Sequence, residues 1–177
     1  MPTSRKRKRS DGSVVRMRRR APVRRTGTAP DAPPQPVTPP EPAGPAARSR
    51  TYAASKEDAV ARLVNEARKQ AGLVSLRTDE QLRTAARRHS VDMAERGYCA
   101  HESPDGVTPG QRMRAAGHPR PGGENVATGQ GSPHAVMSAW MRSPGHRANI
   151  LHPDFRTIGV GVDLGRGGPW WTQNFGY

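Results

Sequence analysis

An α+β fold, with helices layered against a short antiparallel sheet, follows from three observations. Apolar residues recur at helical spacing in successive segments after residue 53, capping residues and glycines punctuate the junctions, and the end of the chain switches to a period of two. The first helix is expected to open near Ser55, where Ser55-x-x-Asp58 resembles a capping box, and Ala59, Leu63, Ala67 and Ala71 trace one face. Gly72 suits its C-terminal boundary. A second helix opens at Thr78-x-x-Gln81, carries Leu82, Ala85, Ala86, His89 and Met93 on one stripe, and ends at Gly97. His89 on that stripe reads as a buried histidine with a local hydrogen-bond partner rather than as a ligand.

Tyr98 to Gly106 leads into a Pro-Asp-Gly turn, and Thr108-Pro109 reads as the N-cap and first residue of a short third helix that Gly117 closes. Ser132-Pro133 caps a fourth, with Val136 and Trp140 on one face. It leads into Ser143-Pro144-Gly145, read as a turn that holds His146, after which Ile150 and Leu151 return the chain to the core. Ile158, Val160 and Val162 alternate with Gly159 and Gly161, and Trp170 to Phe175 reads as the returning strand of a hairpin. The glycines allow another element to pack close to that hairpin.

Composition divides the chain. Of the 29 Lys/Arg and 15 Asp/Glu, residues 1–50 hold 13 and 3, together with 10 of the 18 prolines and almost no large apolar side chains. Such a segment cannot offset its ordering entropy by burial, so residues 1–52 are read as a disordered basic, Pro-rich tail and residues 53–177 as one domain. The clusters Arg5 to Arg9 and Arg16 to Arg20 within residues 1–25 would attract a polyanion: nucleic acid, an anionic lipid or a cell-wall polymer. Without interleaved aromatics, specific single-strand binding is disfavoured. No apolar run reaches the ~18 residues of a membrane helix, and the basic start lacks the apolar core of a signal peptide.

One cysteine, Cys99, excludes an intramolecular disulfide framework and any multi-cysteine zinc site, and it reads as a small, half-buried apolar residue. His101-Glu102 does not extend to a zinc-protease helix, because the fifth position is Asp105 and Pro104 breaks the helix. No G-x-S-x-G elbow is present, Cys99 and His101 are poorly placed as a dyad, and the glycines before Ser132 lack the phosphate-loop lysine. His118, His134 and His152 read as exposed. What remains is His101, Glu124 and His146, two imidazoles and a carboxylate in turns beside apolar residues. They could supply three ligands of an open zinc site, or a hydrogen-bonded polar cluster with no metal.

Five ordered motifs carry a resemblance: Tyr98-Cys-Ala-His101-Glu-Ser-Pro-Asp-Gly, Gly123-Glu124-Asn125-Val, Ala139-Trp140-Met-Arg-Ser-Pro-Gly-His146-Arg-Ala-Asn-Ile-Leu, Ile158-Gly-Val-Gly and Trp171-Thr-Gln-Asn-Phe. In this order they resemble a bacterial CAP (SCP) domain, of the superfamily of cysteine-rich secretory proteins, antigen 5 and pathogenesis-related 1 proteins. The resemblance implies an αβα sandwich with a central cleft. It also implies a tetrad of two histidines and two acids, which in some members binds zinc or another divalent cation. His101, Glu124 and His146 match three tetrad positions; Ser143 stands at the fourth, where many eukaryotic members carry glutamate, and the lost carboxylate should lower cation affinity.

Three functions compete. The cleft holds a ligand, such as a lipid or peptide, or a divalent cation without established turnover; or the same residues form a metal-dependent hydrolase; or the basic tail tethers an interaction protein to a polyanion. The resemblance implies an extracellular or cell-surface location; with no signal peptide seen, an upstream start, non-classical export and a cytoplasmic location are the alternatives.

Overall fold

The structure is a computed structural model and describes residues 44–177. The polyanion-binding reading of residues 1–25 therefore lies outside the described residues. The first helix, α1 (Pro45–Gln70), starts ahead of the expected domain boundary at residue 53. Pro45 opens it with a preset φ, and Ala46, Ala47 and Arg48 are strong helix formers, so nothing delays the helix to Ser55. Ser55 is not a cap: it lies inside α1, where its hydroxyl donates to the Tyr52 carbonyl at 2.8 Å.

After a two-residue strand β1 (Arg77–Thr78) comes α2 (Glu80–Arg96). Its N-cap is Asp79 rather than Thr78: Oδ1 accepts from the amides of Gln81 and Leu82, both at 3.0 Å. Thr78 is unavailable because its backbone is paired with Ile158 in the sheet. Gly97 ends α2 in the left-handed conformation, as expected. Then follow α3 (Pro109–Ala115), β2 (Pro121–Thr128), α4 (Pro133–Arg142), α5 (Pro144–Ile150), β3 (Thr157–Asp163) and β4 (Trp170–Gly176). The described residues thus hold a fifth helix and two strands, β1 and β2, beyond the expected set.

The strands run β1-β3-β4-β2, with β1 parallel to β3 and the other pairs antiparallel. Alternation along β3 gives the sheet two unlike faces. Ile158, Val160 and Val162, with Trp171 and Phe175 of β4, pack against Val60 and Val64 of α1, Val136 and Trp140 of α4 and Ile150 of α5. On the opposite face Gly159 and Gly161 leave no side chain between strand and helix. A Cβ at Gly159 would stand 2.2 Å from the Arg83 amide nitrogen, and one at Gly161 2.3 Å from that of Arg87, so α2 lies directly on the β3 backbone. Met113 of α3 joins Leu82 and Ala85 of α2 on this side. The layers are helix, sheet, helix, as the resemblance implied.

His89 is buried, with Nε2 2.9 Å from the Ala100 carbonyl, which is the local partner anticipated for it. Three other expectations fail. His152 is half-buried rather than exposed, its ring stacked on Phe155. His118 is buried rather than exposed, because the chain after α3 turns inward and sets it against Gly176 and Thr157. Cys99 is exposed rather than half-buried, since it follows the turn that leaves α2. No helix among the described residues is long and apolar enough to cross a membrane.

Candidate functional site

Three elements converge on one carboxylate. Glu124 lies on β2, paired in register with Asn174, and its side chain is 2% exposed. Gly123 before it eases its approach to α5: a Cβ there would stand 2.7 Å from Oδ1 of Asn149. His101 arrives from the loop after α2. That loop is anchored first by the contact of the Ala100 carbonyl with His89 and then by Arg112 of α3. The guanidinium donates from Nη2 to the His101 carbonyl at 2.6 Å and from Nη1 to the Val107 carbonyl at 2.7 Å. A capping box of Thr108 and Gln111 fixes the start of α3, and so the root of Arg112.

Both oxygens of Glu124 are engaged. Oε1 accepts from Nδ1 of His101 at 3.0 Å, and Oε2 accepts from Nη2 of Arg112 at 2.9 Å. Because a carboxylate only accepts, the Nδ1 position of His101 carries the proton and Nε2 is the free end of the ring. The hydrogen bond to Glu124 raises the pKa of His101 above the ordinary histidine value, outweighing the opposing effect of burial. The His101 side chain is nevertheless about half exposed, so Nε2 is within reach of a ligand.

His146 is not held at a turn, as the Pro-Gly sequence suggested. Pro144 occupies the first position of α5, where its fixed φ starts a helix as readily as it starts a turn, and His146 sits in the first helical turn. Burial lowers its pKa, and the charge of nearby His101 lowers it further. Its backbone is tied to the sheet: Nδ2 of Asn125 donates to the His146 carbonyl at 3.2 Å and to Oε1 of Gln173 at 2.9 Å. Asn149, one turn along α5, donates from Nδ2 to the Glu124 carbonyl at 3.1 Å and to Oδ1 of Asn125 at 2.9 Å. This amide network locks α5 onto β2 and β4. Ser143 is the N-cap of α5 and makes no side-chain capping bond.

His101 and Glu124 are thus in direct contact, His146 lies within electrostatic reach of His101, and Ser143 stays outside the hydrogen-bonded cluster. Arg112, Asn149 and Gln173 are the residues that reading the chain for chemistry did not single out. Only Asn149 carried a local signal, three residues after His146 and hence beside it on a helix. Among the described residues the surface also carries hollows. One of about 230 Å³ is lined by Arg112, His89 and Arg96; a groove of about 500 Å³ runs between α1, α2 and the end of β3.

Glu124 as it stands is not open to a divalent cation. Glu124 has no oxygen without a partner, one of those partners is a cation, and no three His, Cys, Asp or Glu side chains among the described residues gather in a metal-holding arrangement.

Residues 61–175 match the family model described as the cysteine-rich secretory protein family, CAP. The chain belongs to this family. This CAP domain is similar to YkwD, an uncharacterized protein of Bacillus subtilis (strain 168), at 43% identity over 120 residues, which cover 67% of this chain and 46% of YkwD. It is also similar to YlbC, an uncharacterized membrane protein of the same organism, at 33% identity over 123 residues, covering 68% of this chain and 34% of YlbC. The CAP chain therefore spans less than half the length of either curated relative.

Among solved structures it is similar to an extracellular protein containing an SCP domain from Bacillus anthracis str. Ames. The TM-score is 0.70 at 31% identity, over 77% of this chain and 44% of that one. An outer surface protein from Borrelia burgdorferi shares the fold, with a TM-score of 0.59 at 23% identity, over 66% of this chain and 88% of that one.

Proposed function

We propose that this CAP domain is a ligand-binding module whose binding face is centred on His101 and flanked by His146. The observation that carries the reading is the pairing of a half-exposed imidazole with a buried carboxylate at 3.0 Å. Such a pair fixes the ring orientation and leaves Nε2 facing whatever arrives from solvent, an acceptor when the ring is neutral and a donor when it is protonated. The ligand class is one that presents a polar group to that atom, which a peptide or the hydroxyl of a sterol provides and a bare hydrocarbon does not. His146, held neutral by burial, adds a second imidazole beside it without adding charge.

The test is a histidine-ring NMR titration of the full chain with short peptides, a sterol and a fatty acid as probes. One class should shift the His101 and His146 ring signals, and His101→Gln should abolish its binding. A probe that binds while leaving both rings unmoved would place the binding site elsewhere and sink the reading. We further propose that the domain works outside the cell, a reading supported by its 31% identity to an extracellular SCP-domain protein. Fractionating the producing cells tests this, and protein found only in the cytoplasm overturns it.

A further inference from the structure

We propose that Arg112 is the residue that decides what this face accepts: it is a built-in counter-cation for Glu124, occupying the carboxylate oxygen that His101 leaves open, so Glu124 cannot complete a divalent-cation site with the imidazoles and the face is kept for metal-free ligands. The inference rests on the reading that this face is the binding site, and it narrows that site's ligand class. Nη2 of Arg112 lies 2.9 Å from Oε2 of Glu124, and the two side chains are 12% and 2% exposed. The guanidinium is fixed independently by the carbonyls of His101 and Val107, at 2.6 and 2.7 Å, so it is not a loose surface arginine that could swing away when an ion arrives.

Its Nε is buried without a partner among the described residues, so the contacts that fix the guanidinium are made through its two terminal nitrogens. A dication approaching Glu124 would meet a carboxylate whose charge is already neutralised. It would also meet a like charge within hydrogen-bond distance of the oxygen it needs, in surroundings too buried for water to screen the repulsion.

The full chain is titrated with zinc chloride by calorimetry, and with cobalt(II), whose visible absorption reports a protein-bound ion. Wild type should show no site that depends on Glu124. Arg112→Gln should gain one, binding zinc about tenfold or more tightly than wild type, because one unit of like charge has gone. Adding Glu124→Gln to Arg112→Gln should remove that site. Arg112→Lys, which keeps the charge, should exclude zinc as wild type does.

Should Arg112→Gln be poorly folded, zinc is expected to raise its melting temperature and leave that of wild type unchanged. Wild-type zinc binding that His101→Ala abolishes overturns the inference. So does an Arg112→Gln protein that neither binds zinc nor is stabilised by it, and so does zinc binding by Arg112→Lys. None of these results bears on whether a peptide or sterol shifts the ring of His101, so failure here and failure of the binding-face reading are separable.

Discussion

Two arginines hold this domain together, and they are satisfied in opposite ways. Arg68 of α1 is completely buried, and its guanidinium donates only to backbone carbonyls: Val74 at 2.9 Å, Ile150 at 2.8 Å, His152 at 2.9 Å and Phe155 at 3.5 Å. No acidic side chain pairs with it among the described residues, and burial, with the charge of Arg156 second, lowers its pKa. Arg112 instead divides its bonds between two carbonyls and the carboxylate of Glu124. A guanidinium met only by backbone dipoles is a strut, tying the end of α1 to the end of α5 and the loop before β3. One met by a carboxylate also sets the charge of a surface that ligands can reach. The same residue type gives rigidity in one place and selectivity in the other.

The largest effect that separates the two is expected from Arg68→Met. It removes a charged donor from several carbonyls at once, and a charge-assisted hydrogen bond contributes roughly 1.5–3 kcal/mol. Chemical denaturation should therefore show a loss of about 4 kcal/mol, with no gain of metal binding. Arg112→Gln should cost about 3 kcal/mol, the lower end for breaking a buried pair, because Glu124 is left uncompensated. If it costs nothing, the ion pair is not what holds the loop from His101 to Val107. Asn149→Ala removes two donated bonds and should cost about 1.5 kcal/mol. Its sharper readout is the His146 ring, whose NMR signals should broaden or shift as α5 loosens from β2; unchanged signals would show that the amide network does not position His146.

The smallest effects are those of pH. His101, with a raised pKa, contributes stability that is fully present below the ordinary histidine value of 6.5 and is lost as pH rises through its folded value. His89 and His146, both lowered by burial, do the reverse: their contribution is present above 6.5 and is lost as pH falls from there through their folded values. Ring titrations by NMR should place His101 above that value and the other two below it. In His101→Gln the midpoint of His146 should rise, since a neighbouring charge has gone; a midpoint that stays put would mean the two rings do not interact.

Much of this was legible in the chain. The apolar face of α2, its glycine stop, the Thr108 and Ser132 caps and the alternation of glycine with Ile and Val in β3 are local patterns, set by steric periods of 3.6 and 2 residues. Sequence and structure part where local signals compete. Ser55 resembled a cap but lies inside a helix that had already started, and Ser143-Pro144-Gly145 suits a turn and a helix start alike. β2 has no local signature, because Gly122-Gly123-Glu124-Asn125 has poor strand propensity and only pairing with β4 makes it a strand.

The sequence by itself determined the fold class and the family, and it singled out His101, Glu124 and His146, because periodicity, capping and motif order are properties of neighbours along the chain. Only the tertiary structure decided what Glu124 touches. Its partners come from 23 residues away, for His101, and from 12 residues away, for Arg112. No local pattern encodes a contact between side chains that two separate elements bring together. The carboxylate that the chain left open between a metal ligand and a member of a polar cluster is, in the folded domain, bonded to His101 and paired with Arg112.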